Sequence, residues 1–365
     1  MRAVHCLLAT ADKQTFWLAD MSGLARVQFA ARRLAPTCWM ATKKRRDGNQ
    51  NHFAATIEAD ITTPLKEANT MIHNRPVVML DTSAHNRLLK DGLESEAIFA
   101  AFKIGYHVRL AGISIEELMS TTKGQTRMAL LESAGRLLQG QSDCLHAHNE
   151  MLRLLIAAHE ANRQGFRWQA VNVSAPEYAM ELNERRFSSD DALAAEQRKH
   201  MTEVDAEFEM VWARLRPKLE EVFQHHGEQR PLSFQEVLPH ATGETGLMWG
   251  IAKGLYDKVA RTPATDETIR NFLDTCPPFR CVVYAFIMTW YDRSLRALPD
   301  GQKFHAGRND QFMAIYLPYT DLFLTAEGKG EQAGCLAEIA RLVHPQTKVQ
   351  SYDDFCAGLL IPTGV

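Results

Sequence analysis

Four carboxylates stand where an α/β chain would gather them. Asp81 directly follows the apolar run Val77-Val78-Met79-Leu80, and Glu117 comes soon after the apolar stretch ending at Ser114. Asp310 opens a helical pattern, and Glu327 follows Leu322-Phe323-Leu324-Thr325. In open parallel sheets, functional groups collect beyond the carboxyl ends of the strands, so acids distant in sequence can meet on one rim. Carboxylates brought together repel unless a cation sits between them. Oxygen-only ligands favour Mg²⁺ or Mn²⁺ over Zn²⁺. Taken singly, each acid also has a plainer reading. Asp310 suits the positive end of a helix, Asp81 suits a turn, and Glu116 and Glu117 suit solvent.

The elements that would position these acids are legible. A continuous apolar run after Pro76 and before polar Asp81-Thr82-Ser83 reads as a buried strand of a parallel sheet. Residues 84–104 read as helical, Tyr106 to Ser114 as a second strand, and Glu116-Glu117-Leu118-Met119 as the opening of another helix. Leu322–Thr325 and Lys348–Ser351 read as further strands, with helices over Gly334–Val343 and Tyr352–Leu359. Asn309 reads as a helix cap ahead of Asp310–Leu317. This alternation implies a parallel sheet with right-handed crossovers.

The local words around the acids resemble the PIN-like family of metal-dependent nucleases. VVMLDTSAHNRLL (77–89) is similar to the family's first motif, GISIEELMS (112–120) to its second, and RNDQFMAIYLPYTDLFLTAEG (308–328) to its helix with a leading Asp followed by a strand ending Thr-x-acid. The resemblance covers about 76–140 and 304–361. It implies a three-layer α/β fold around a central parallel sheet, and an endonuclease, most readily an endoribonuclease, that leaves a 5′-phosphate. It implies Asp81, Glu117 and Asp310 as catalytic Mg²⁺ or Mn²⁺ ligands, with Glu327 as a fourth. Ser83 and Asn309 are candidates to orient carboxylates or touch phosphate, and Arg308 is a candidate phosphate contact. One departure stands out: Thr325-Ala326-Glu327 replaces the family's usual Thr-x-Asp. That weakens the fourth ligand, with Asp321 as a possible substitute, and it keeps open an alternative: a weak or inactive module that binds nucleic acid or protein.

Composition sets the surroundings. The chain has 365 residues and a formal charge of −3, with 45% apolar and 23% charged residues, an ordinary globular balance. Residues 1–75 hold eleven Lys/Arg against six Asp/Glu, and the remainder holds 30 against 38. Residues 1–72, with Lys43-Lys44-Arg45-Arg46, read as a poorly ordered basic extension. Residues 1–70 are expected to be dispensable for folding, with Met71 as an alternative start. The α/β unit is then 73–140 plus 304–365, split by a helical insertion over 141–303 that could take a protein partner. Within it, Met201, Phe208, Trp212 and Leu215 are expected on one buried face, a proline kink at Pro217, and a buried helix after Pro277-Pro278. The longest apolar run, Cys281–Tyr291, is too short for a membrane span. Seven scattered cysteines without CxxC spacing point to a reduced, cytoplasmic setting. Two further patterns imitate functional motifs. Gly328–Gly334 spells GxGxxxG rather than GxGxxG. His146-x-His148 and His225-His226 lack zinc-site companions and read as surface histidines.

Overall fold

The computed structural model describes residues 75–91, 95–138, 143–184, most of 191–210, 234–243, 247–260, 262–294, 308–327 and 332–360. The chain opens with strand β1 (Val77–Leu80), helix α1 (Thr82–Lys90) and helix α2 (Ser95–Gly105). Strand β2 (His107–Val108), α3 (Gly112–Met119) and α4 (Gly124–Leu138) follow. The middle of the chain supplies α5 (His148–Ala161), α6 (Pro176–Asn183), α7 (Phe234–Thr242), α8 (Leu247–Asp257), α9 (Asp266–Thr275) and α10 (Pro277–Ser294). The last part carries α11 (Arg308–Met313), the 3₁₀ helix Ala314–Tyr319, β3 (Leu322–Thr325), α12 (Gln332–Val343), β4 (Lys348–Ser351) and α13 (Tyr352–Leu360).

The four strands form one parallel sheet in the order β2-β1-β3-β4. A parallel bridge from Leu110 to Cys144 carries the pairing one chain further past the β2 line. Each strand of a sheet covered on both faces must be apolar on both, which is why VVML and LFLT read as unbroken runs. Val78, Leu80, Leu322 and Leu324 share one core with Leu88 of α1, Phe102 of α2, Leu130 of α4 and Tyr352 of α13. Met79 and Phe323 point the other way, into a core with Leu155 of α5, Phe272 of α9, Phe279 and Phe286 of α10, and Ile339 of α12. The helical middle of the chain therefore supplies much of one layer of the sandwich. Helix α10 is buried over most of its circumference and correspondingly apolar, with Arg280 and Tyr284 only partly covered. Pro277 occupies its first position, where the missing N–H costs no intrahelical bond. Among the described residues no helix is long and apolar enough to cross a membrane.

Three local expectations need correction. Residues 84–104 form two helices, α1 and α2. The stretch Tyr106–Ser114 is a strand only over His107–Val108, and α3 begins at Gly112. Its apolar-polar-apolar alternation reads as a strand, but Ile113 enters one core while Ile115 and Leu118 enter the other, and a helix wedged between two cores satisfies all three. Asn309 is not a cap, because α11 already starts at Arg308. In the helical middle, Met201 is half-buried, while Phe208, Trp212, Leu215 and Pro217 lie outside the described residues, as does the basic extension.

Gly112 marks where the two parts of the chain cross. A Cβ there would meet Ala147 N at 2.4 Å, His146 C at 2.5 Å and Leu145 O at 2.7 Å, all backbone atoms. Gly112→Ala is expected to destabilise the protein by about 2 kcal/mol or more, since backbone cannot yield as a flexible side chain can. Thermal unfolding would read this as a clear drop in Tm, and an unchanged Tm would mean that the crossing is looser than it stands here.

Candidate functional site

Strand β1 delivers Asp81 to the carboxyl end of the sheet, where its N–H donates to Leu324 O of β3 at 3.0 Å. Its side chain is 2% exposed and caps α1. Oδ1 accepts from Ala84 N at 2.7 Å, and Ser83 Oγ donates to the same carboxylate at 2.8 Å. The Thr325 hydroxyl, at the end of β3, stands 3.3 Å from Ser83 Oγ. Ser83 Oγ in turn accepts from Ala326 N at 2.9 Å, and Thr325 Oγ1 accepts from Glu327 N at 3.1 Å. The ends of β1 and β3 are thus tied together around one buried carboxylate.

Glu117 on α3 is half-buried and faces the same rim. Its Oε2 accepts from Thr82 Oγ1, and its Oε1 accepts from Asn309 Nδ2 of α11. Neighbouring Glu116 accepts from Tyr178 OH of α6 at 3.3 Å. Tyr316 OH donates to His146 O at 2.9 Å and accepts from Ile113 N at 3.3 Å, which fixes the start of α3. Burial holds both phenols well above their usual range, so they stay neutral donors.

Asp81 has its pKa raised above the ordinary 3.8. Burial is the largest cause, its hydrogen bonds pull the other way, and the charge of Glu117 adds to the rise. Like-charge repulsion, the cause the sequence suggests, is real here but secondary to burial. The donors are all oxygen, and a carboxylate offers about four lone-pair positions. Asp81 and Glu117 each accept from two donors given above, so both retain capacity for a hard cation.

The other expected residues divide. Asp310 follows Asn309 on α11, but the side chains of Asp310 and Arg308 lie outside the described residues. Glu327 is half-buried just past Thr325. Asp321 is at the opposite edge: its Oδ2 accepts from Val77 N at 2.7 Å, at the start of β1. It cannot stand in for Glu327. Among the described residues no group of three or more His, Cys, Asp or Glu side chains assembles into a metal cluster. His148 is buried and stacked on Phe312 rather than lying at the surface, while His225 and His226 are outside the described residues.

Sequence reasoning missed Thr82, Thr325 and Tyr178, which act through partners far along the chain and carry no periodic signal. Thr82→Val keeps the shape of the side chain and removes its bond to Glu117. The expected cost is about 1 to 2 kcal/mol, the range for one hydrogen bond to a half-buried charged group. Chemical denaturation would measure it as a lower midpoint with an unchanged slope. No family model, no curated protein and no solved structure matches this chain.

Proposed function

We propose that this protein is a metal-dependent nuclease of the PIN-like type, acting on RNA. One observation carries the reading: Glu117 is gripped from the two elements that bear the other acids. Thr82 adjoins Asp81 and Asn309 adjoins Asp310, so a single carboxylate ties α1, α3 and α11 to one rim. Asp81, Glu117 and Asp310 would hold Mg²⁺ or Mn²⁺, with Glu327 beside them. When bound, such an ion polarises a scissile phosphate and lowers the pKa of an attacking water. Ser83 and the Ala84 N–H hold the Asp81 carboxylate in one orientation, and Asn309 does the same for Glu117. Arg308 is assigned to the phosphate backbone.

The test is cleavage of mixed-sequence single-stranded RNA with Mn²⁺ or Mg²⁺, with and without EDTA. Cleavage that needs the cation supports the nuclease. A second reading has a specific observation behind it: both oxygens of Glu117 already accept from protein donors. In that reading the rim is a rigid scaffold, and the protein binds nucleic acid or a protein partner without turnover. Saturable RNA binding with no cation-supported product would favour it.

A further inference from the structure

The sheet is covered along one side and open along the other. Beyond β2, Leu110 pairs with Cys144 and Leu145 pairs in turn with Ser174, so two further segments continue that edge. On the other side the strand order ends at β4, and among the described residues nothing pairs with its outer edge. The register fixes which backbone groups are left over. Lys348 N donates to Asp321 O at 2.8 Å, so Lys348 and Gln350 turn their N–H and C=O groups toward β3. These groups alternate sides along a strand, so Val349 and Ser351 present theirs outward. An exposed row of unpaired backbone groups is a template for another strand.

The charges around β4 say which strand. Lys348 is exposed and makes no ion pair among the described residues. At the other end of β4, α13 opens with Asp353 and Asp354, both exposed. Lys348 pairs with Leu322, whose core includes Tyr352 and Phe355, so Lys348 and α13 lie on the same face of the sheet. A strand with a cation at one end and acids at the other is complementary to a copy of itself running the opposite way.

Only one register of such a pair uses the free groups fully. A pairing centred on Val349 would set Thr347 opposite Ser351, but Thr347 N already donates to His344 O at 3.0 Å. A pairing centred on Ser351 would run into α13, which begins at Tyr352. Centred on Gln350, Val349 of each copy faces Ser351 of the other, and the two pairs exchange four backbone hydrogen bonds. A two-fold axis normal to the sheet keeps the faces together, so Lys348 of each copy lies beside the acidic first turn of α13 in the other.

We propose that two copies of this chain join through β4, antiparallel about Gln350, into one continuous eight-stranded sheet. The interface is independent of the nuclease reading, because β4 bears none of the carboxylates assigned to the metal.

The test is light scattering on the full chain, together with disulfide trapping. The wild type should be a dimer. At the two-fold axis the two Gln350 Cα atoms stand about 4.5 Å apart, within the span of roughly 4.4–6.8 Å that a disulfide bridges. Gln350→Cys oxidised with diamide should therefore give a covalent dimer on a non-reducing gel, above the background that the native cysteines set in the wild type. Lys348→Cys is more exposed but lies about 13 Å from its counterpart, so it should not. Lys348→Glu should raise the dimer dissociation constant about tenfold, since two charge contacts reverse at once. If Gln350→Cys fails to fold, Lys348→Glu decides alone, its side chain being exposed. A monomeric wild type overturns the proposal, as does a dimer that Gln350→Cys does not trap or one whose dissociation constant ignores Lys348→Glu.

Discussion

Asp81→Asn is expected to abolish cation-supported RNA cleavage while leaving the metal-free protein at least as stable as before. Loss of a metal-holding carboxylate removes several kcal/mol of transition-state stabilisation, so the rate should fall by about a thousandfold or more. The stability half follows from the sign of the pKa shift. The folded protein raises the Asp81 pKa above the ordinary 3.8, mainly by burial. A raised pKa means that the folded state prefers the protonated carboxyl. Its favourable contribution is therefore complete below the ordinary value and is lost as pH rises through the higher, folded-state one. Once this carboxyl ionises, the wild type holds a buried charge at a cost. Asparagine removes the charge and is as good as aspartate at a helix N-terminus, so the Ala84 N–H keeps its acceptor. The two proteins should converge in Tm as pH falls toward 4 and diverge above it, in the absence of divalent cations. A variant that loses both activity and stability at pH 7 would show that Asp81 serves the fold first.

Removing residues 141–303 and joining the flanks is expected to leave no cooperative unfolding transition. The helical middle looks separable in sequence, since the α/β pattern stops before it and resumes after it. Its packing says otherwise. Met79 of β1 and Phe323 of β3 are fully buried in a core shared with Phe279, Val282, Val283, Phe286 and Ile287 of α10. Five such side chains, at about 1.5 to 3 kcal/mol each, rival the ~5–15 kcal/mol that holds a whole domain together. Circular dichroism on heating would read the result as a broad, featureless slope. A sharp melt for the shortened chain would mean that α12 covers that face unaided. Phe323→Ala in the full chain is the milder companion, with an expected loss of about 3 to 5 kcal/mol.

The strands were readable because burial on both faces forces unbroken apolar runs, as in Val77–Leu80 and Leu322–Thr325. Helix α10 was readable for the same reason. The β2–α3 boundary was not, because Ile113, Ser114 and Ile115 alternate like a strand and only the two cores around them decide for a helix. Asp81 and Glu117 announced themselves by their places beside apolar runs. What holds them did not. Thr82 reaches Glu117 across 35 residues, Tyr178 reaches Glu116 across 62, and Asn309 reaches Glu117 across 192. Spacings of that size are set by topology and leave no trace in local patterning.

The central pairing of the sheet has a consequence for synthesis. β1 lies between β2 and β3, and the Val77 N–H bond to Asp321 spans 244 residues. On a ribosome adding about 5 to 20 residues per second, β1 therefore waits roughly 12 to 50 s for its inner neighbour. During that interval one flank of an apolar strand has its backbone groups unpaired, the state in which strands recruit the wrong partner. The N-terminal half can assemble β1, β2 and α1–α4 early, but it cannot complete its sheet. Assembly should be slow, late and aided by chaperones that shield a nascent edge, with the chain committing to its native form only once β3 has emerged.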